Sequence, residues 1–483
     1  MEQFYTTVLF GSLLSCSAAF AQTPVLLKDI NPTGSSSPGG LTCFGGVTYF
    51  NANDGVHGIE LWKTDGTESG TVLVKDIVEG TGNSNARAFF EIDGTIYFTT
   101  GSSPSDAQLW KTDGTGNGTQ MAVDFTQVDG LLGWNGFAKF GDLIYFQGRT
   151  ADEGTELWYT DGTVAGTHML LDLRAGTTGS SPRDLIEFQG HLFFNAANND
   201  LEPWMTDGTP EGTVLLKDCY EGIGSSDPTY YKVVDDQLFF RAETGAESEE
   251  LWVTDGTTDG TNLVRDLYPG TNSSLPSNFA AHNGELYFRA YPGDGNSYIF
   301  HSDGTFAGTV ALPQPAYDYT LAEGMCSHNG WLYFLAYGDL HKQLWRTDGT
   351  AAGTEEILYP GTTPIQPMAN AYTLTSCGPL LFRAGYIEAI GDELFAIDPS
   401  VGMDTTAPVH ISLFPNPTSG QLRVSGFPAN SNFALYTTDG RMVLNTAASP
   451  TMDVTTLPNA PYVARITDAE GTTIRTQLLL VQH

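Results

Sequence analysis

The sequence predicts an all-β protein: an eight-bladed β-propeller of four-stranded blades, with seven blades as the alternative, followed by a small C-terminal β-sandwich. Three observations predict it. A string of the form ELWxTDGTxxGT returns every ~48 residues, a period close to that of propeller blades. Each of the first seven copies belongs to a set of four short apolar runs, its own strand included, separated by turn residues. Composition agrees, since 483 residues include 55 Gly and 25 Pro, and 12% are aromatic, as many short strands and tight turns require.

Residues 1–21 read as an export signal. The run VLFGSLLSCSAAF ends in Ala19-Phe20-Ala21, the small-x-small pattern that a signal peptidase accepts, so the mature chain is expected to start near Gln22. The segment carries Glu2 and no Lys or Arg ahead of that run, and Leu13-Leu14-Ser15-Cys16 loosely matches a lipoprotein box. No other run approaches the ~20 apolar residues of a spanning helix, so no membrane span is expected.

Residues 22–400 hold the repeat. ELWKTDGTESGT (60–71) returns as QLWKTDGTGNGT (108–119), ELWYTDGTVAGT (156–167) and EPWMTDGTPEGT (202–213). It continues as ELWVTDGTTDGT (250–261), YIFHSDGTFAGT (298–309) and QLWRTDGTAAGT (343–354), with a decayed eighth copy from Glu393. A Gly- or Asp-marked turn and an apolar strand such as DQLFFRA precede the motif. A further strand, as in RAFFEID (87–93), precedes that turn, and a strand of the VLVKDI type follows the motif. A lone VLLKDI at 25–30 lies ahead of the first unit, whereas the eighth lacks such a strand after Phe395. The N-terminal strand is therefore expected to complete the last blade, leaving no free sheet edge at the seam. The motif resembles the ELWxxDGT repeat family, whose members are secreted, and that resemblance implies no particular activity.

The repeated side chains point to structure rather than chemistry. Trp62, Trp110, Trp158, Trp204, Trp252 and Trp345 suit packing between blades better than a glycan-stacking ring, because binding sites use few blades. The Asp-Gly of TDGT suits a tight turn. A calcium site needs about six to eight oxygens, and each copy offers one Asp. Glu60, Glu156, Glu202, Glu250 and Glu393, with Gln108 and Gln343, share a strand face with the motif aromatics. They are expected to accept hydrogen bonds between blades rather than to act in catalysis. Cys219 replaces an apolar strand residue and reads as core. Cys43 and Cys377 lie on corresponding strands across the expected seam, where an oxidising compartment permits a disulfide that spacing alone does not select. Cys326 completes the set outside the signal. His282 and His328 sit in AHNG and SHNG strings and read as turn or buried histidines. GxSxG, P-loop, HExxH and CxxC patterns are absent. No catalytic, cofactor-binding or metal residue is nominated, and no cofactor is expected.

Charge narrows the partners. With 56 acids against 21 Lys plus Arg, the formal charge of −35 argues against nucleic acid and anionic membranes. From Ile411 onward, four acids balance four Arg, so the excess belongs to the preceding part. The tail carries Pro415-Asn416-Pro417 with Gly420, an Asp439-Gly440-Arg441 turn, Leu457 leading to Tyr462, and an apolar last strand. Residues 411–483 resemble the C-terminal sorting domain of type IX secretion cargo in the Bacteroidetes, with 401–410 as a linker. Ala460 stands where that family usually has Gly, and the chain ends Val481-Gln482-His483 rather than with a Lys. The resemblance implies export through the periplasm of a Gram-negative bacterium, engagement of the type IX machinery, and release or attachment at the outer surface. Strands and turn signals alone suggest a small β-sandwich there.

The expected function is a non-enzymatic propeller that binds a protein or glycan through variable loops. Those loops include NANDGVHGI (51–59), GSSPSDA (101–107) and AETGAESE (242–249). The alternative is a secreted glycan hydrolase or lyase with carboxylates at the channel mouth, and a purely structural surface role is the third.

Overall fold

The computed structural model describes residues 25–101, 108–128, 130–131, 133–246, 248–312, 322–337, 342–351, 353–357, 374–387 and 390–397 of a first unit, Met1–Pro399. In a second unit, Ser400–His483, it describes 412–414, 421–425, 431–437, 441–447, 449, 451–467 and 473–481. The expected signal and linker lie outside the described residues.

The first unit contains eight antiparallel sheets of four strands, and no α-helix among the described residues. Strand β1 (Val25–Lys28) precedes the first complete blade, built from β2 (Gly39–Phe44), β3 (Val47–Asn53), β4 (Ile59–Thr64) and β5 (Val72–Lys75) in that order. Blades 2 to 7 repeat the arrangement, their first strands starting at Arg87, Gly133, Arg183, Thr229, Ser277 and Glu323. Each innermost strand touches the innermost strand of the next blade, and the eighth, Leu374–Cys377, touches β2. The ring is thereby closed.

At the seam, β1 pairs antiparallel with the last propeller strand, Gly391–Ile397, placing Val25 opposite Ala396 and Leu26 opposite Phe395. A Cys43–Cys377 disulfide joins the two innermost strands there, with Cα atoms 5.4 Å apart. Hydrogen-bonded pairing and a covalent link therefore act at the same junction.

Burial on both faces builds the middle of each blade. In the second strands, Phe50, Phe98, Phe146, Phe194, Phe240, Phe288 and Phe334 are buried, each opposite the motif aromatic on the third strand. Both faces of these central strands are covered by neighbouring blades, so they read as continuous apolar runs. The outermost strands shrink to two residues in blades 4, 6 and 7: Val214–Leu215, Val310–Ala311 and Glu355–Glu356.

The second unit is a sandwich. One sheet holds Ser412–Phe414, Gln421–Ser425 and Thr451–Asp453. The other holds Met442–Ala447, Asn432–Thr437, Ala460–Thr467 and Thr473–Val481. Met452 and Val454 pack with Phe433, Leu435, Tyr462, Ala464 and Ile466 in its core.

Candidate functional site

Antiparallel chain direction sorts the connections of the propeller onto two ends. One end carries the turns between first and second strands and the TDGT turns. The other carries the loops between second and third strands and the connectors that lead to the next blade. Loops 51–59 and 242–249 lie at this second end, as does Gly101, while 102–107 lie outside the described residues.

The motif glutamates brace this loop end. Glu250 is fully buried and accepts from Leu267 N at 3.1 Å, from Ser274 N at 2.9 Å and from the Ser274 hydroxyl. Glu202 accepts from Cys219 N at 3.0 Å, Ser226 N at 2.9 Å and Ser226 Oγ at 2.6 Å. Glu156 holds Ser180 and Glu60 holds Ser84 in the same way. At the seam Glu393 reaches across the chain ends to Ile30 N at 3.1 Å and Ser36 Oγ at 2.7 Å. Each carboxylate thus ties down the connector into the following blade. Burial pushes these carboxyls above their ordinary range, Glu250 to about 7, while the donors oppose that shift. Gln108 differs, accepting from Trp110 Nε1 at 3.1 Å. The side chain of Gln343 lies outside the described residues. The serine partners were missed in the sequence, although four of them stand 24 residues after their Glu.

At the opposite end the TDGT residues form a self-contained turn. Asp65 Oδ1 accepts from Thr67 N at 2.9 Å and Thr67 Oγ1 at 2.7 Å, and Thr67 Oγ1 accepts from Gly70 N at 2.9 Å. These bonds hold the Asp65 carboxyl below its ordinary range. The second glycine of the motif is explained by contact: a Cβ on Gly70 would lie 1.9 Å from Asp65 Oδ1, and Gly118, Gly166, Gly212, Gly260, Gly308 and Gly353 meet their Asp equally closely. Among the described residues, no group of three or more His, Cys, Asp or Glu is placed to hold a metal ion.

The tryptophans lie between blades. Lys28 of the strand that completes blade 8 sits 5.9 Å from the Trp62 ring centre, and Lys75 of blade 1 sits 5.9 Å from that of Trp110 in blade 2. The same lysines donate to turn carbonyls of the next blade, Lys28 to Thr71 O at 2.9 Å and Lys75 to Thr119 O at 2.8 Å. His282 and His328 are buried and bridge blades through Ser327 Oγ at 2.9 Å and Ser376 Oγ at 2.8 Å. Cys219 is a buried free thiol whose burial raises its pKa, and Cys326 is a partly buried free thiol.

A recess of about 480 Å³ opens at the loop end between the innermost strands of blades 4 and 5. Asp184, Leu185, Ile186, Thr229, Tyr230, Tyr231 and Arg241 line it. Tyr231 donates to Asn195 Oδ1 at 2.5 Å, and Asn195 donates to Asp184 Oδ2 at 2.9 Å and Pro228 O at 2.5 Å. Loss of solvent raises the Asp184 carboxyl, opposed by Arg183 and Asn195. The Arg241 guanidinium lies 4.9 Å from the Tyr230 ring centre and pairs with Glu249 at 3.1 Å. Thr229 Oγ1 and Arg241 Nε are buried without a hydrogen-bond partner. A second recess, about 420 Å³, is lined by Thr244, Gly245 and Ala246 of loop 242–249 together with Lys217, Asp218, Glu221 and Trp252.

Two backbone series converge on this region. Seven innermost strands carry a bulge residue in the left-handed region: Gly40, Ala88, Gly136, Asp184, Tyr230, Asn278 and Gly324, with φ between 52° and 66°. The residue after the clamp serine does the same at Ser37, Asn85, Ser181, Asp227 and Leu275, with φ between 43° and 52°. Gly, Asn and Asp tolerate this conformation, whereas a large side chain does not. Tyr230 and Leu275 are the misfits, and they are 46% and 47% exposed.

Residues 412–480 match the secretion system C-terminal sorting domain. This type IX sorting tail marks the protein for export, to the cell surface or into the surroundings. No helix among the described residues is long and apolar enough to cross a membrane. No curated protein matches the chain. Among solved structures it is similar to PorZ, a surface component of the type IX secretion system of Porphyromonas gingivalis, at 12% identity and a TM-score of 0.40 over 91% of this chain and 64% of that one. It is also similar to a puromycin hydrolase at 13% identity and 0.44, over 79% of this chain and 58% of that one. A prolyl endopeptidase gives 12% and 0.47, over 74% and 56%. The chain thus spans less than two thirds of the length of each of these structures. Likeness at this level assigns no activity.

Proposed function

We propose that this exported protein is a non-enzymatic propeller that binds an extracellular protein or glycan through the loop end of its ring, with blades 4 to 6 as the contact region. Residues 1–21 serve as its removable signal, and its repeats belong with the ELWxxDGT family. The type IX machinery handles residues 411–483. One observation carries the binding assignment: the loop-end recess holds an exposed aromatic, Tyr230, at a backbone position that disfavours it. Side chains kept against local backbone preference concentrate at functional sites. Clamped connectors supply the rigid base that binding loops need.

The alternative, a glycan hydrolase or lyase, finds its support in Asp184, whose raised carboxyl could donate a proton. A two-carboxylate mechanism needs a second acid about 5–10 Å away. Asp227 falls within that range, since it and Asp184 both engage Arg183, at 3.4 and 3.8 Å, but it does not line the recess, and Asn195 and Arg183 already hold Asp184. A glycan array probed with the purified protein, with analysis of released sugars, separates the readings. Retention without turnover supports binding, and released product refutes it.

A further inference from the structure

We infer that the loop end of blades 4 to 6 docks a basic polypeptide, one that presents an apolar side chain between Lys or Arg residues. This deepens the binding reading above and rests on it. The argument begins with the two misfits. Among the described residues, the bulge position of the other blades holds Gly, Ala, Asp or Asn, and only blade 5 places a ring there, Tyr230. Among the described residues, the post-serine position elsewhere holds Ser, Asn or Asp, and only the connector from blade 5 to blade 6 places a branched apolar residue there, Leu275. Neither side chain is recruited into the core, since both stay nearly half exposed.

The two belong to one junction. The Tyr230 ring lies 5.9 Å from that of Phe279, which stands four residues after Leu275 on the next innermost strand. Ile223, in the connector entering blade 5, is fully exposed. Three exposed apolar residues therefore fall in two consecutive connectors and the strand between them. Isolated exposed apolar residues are ordinary, but Tyr230 and Leu275 at one junction, with Arg241 against the Tyr230 ring, have the composition of a protein-binding hot spot.

The rim sets the sign of the partner. Ion pairs surround the group: Arg183 with Asp227 at 3.4 Å, Arg241 with Glu249 at 3.1 Å, and Arg289 with Glu323 at 3.9 Å. Arg183 also reaches Asp184 at 3.8 Å, and with Lys217, Asp218 and Glu221 of the second recess and Glu243 beside Asp227 and Glu249, seven carboxylates stand against four cations. The local balance is negative, on a chain of net charge −35 whose excess lies outside the tail. Such a field draws in a cationic partner and repels an acidic one.

The test uses the full secreted chain and an array of immobilised peptides: Lys- and Arg-rich with one Leu or Phe, Lys- and Arg-rich without it, and acidic. A glycan array runs in parallel. Variants are Tyr230→Gly and Leu275→Asn, singly and together, each adopting a residue found at the equivalent position elsewhere in the ring. Retention is expected on basic peptides that carry the apolar residue, weakened at least tenfold in the double variant and reduced by added salt, with Tm little changed. Equal binding by the double variant, or retention on acidic peptides, overturns the inference. Retention on glycans alone overturns it too while leaving the broader binding reading intact. Retention on neither array defeats both.

Discussion

Replacing Glu250 with Ala tests whether the motif glutamates hold the ring together. The substitution leaves two backbone N–H groups, of Leu267 and Ser274, and the Ser274 hydroxyl without their acceptor. A buried donor left unpaired costs roughly 1–3 kcal/mol, and removing the burial of a carboxylate returns part of that, so the net loss is about 3–5 kcal/mol. Unfolding entropy of about 2.1 cal/mol/K per residue, over the ~370 residues of the ring, makes 1 kcal/mol worth about 1.3 °C. The expected fall in Tm is therefore about 4–6 °C, read by calorimetry on the whole chain. Ser274→Ala removes only the hydroxyl and should cost about 1 kcal/mol. The two changes together should cost less than their sum, because they share one interaction. A fall below 1 °C for Glu250→Ala, or strict additivity with Ser274→Ala, would refute the clamp.

Further outcomes follow from the same geometry. Because burial raises Glu250 from 4.5 to about 7, the folded state binds its proton more tightly than the unfolded state does. That contribution to stability is full below pH 4.5 and is lost as pH rises through 7, so Glu250→Gln should flatten the Tm–pH curve across that window. Gly166→Ala should lower Tm measurably, because the new Cβ would lie 2.1 Å from Asp161 Oδ1; an unchanged melt would remove this account of the second motif glycine. Reducing Cys43–Cys377, which spans 334 residues, should cost about 3–5 kcal/mol and lower Tm of the intact chain in reductant, whereas the Cys43→Ser/Cys377→Ser variant should show no response to it.

What the sequence disclosed depended on repetition. Aromatic residues returning near every 48 positions marked the blades, because packing between like neighbours imposes the same volume at each. The Glu before Leu-Trp was legible for the same reason, and its role between blades follows from sharing a face with the Trp. Its serine partner was not, since Ser is common in loops and the Glu–Ser contact lies 24 residues apart across a variable connector. The left-handed positions were illegible too: Gly40, Ala88, Asp184, Tyr230 and Asn278 share a backbone conformation and no chemistry. Their equivalence lies in the folded backbone alone.

That equivalence changes where function should be sought. In a ring of copied blades, a residue present in every copy is explained by packing, as the tryptophans and the TDGT turns are. Information about a ligand must lie where copies differ, and most differences in exposed loops carry no penalty and hence no signal. Tyr230 and Leu275 are different in kind. Left-handed geometry costs a residue with a Cβ roughly 1–2 kcal/mol, and Gly or Asn at these positions avoids most of it. Tyr230→Gly relieves that cost but gives up the contacts with Phe279 and Arg241 and adds entropy to the unfolded chain, so the net change in stability should stay within about 1 kcal/mol. A variant that melts higher and binds less would show that the ring gives up stability at this point to present the ring of Tyr230. A variant that loses more stability than that would place Tyr230 among the packing residues and return the search to the loops.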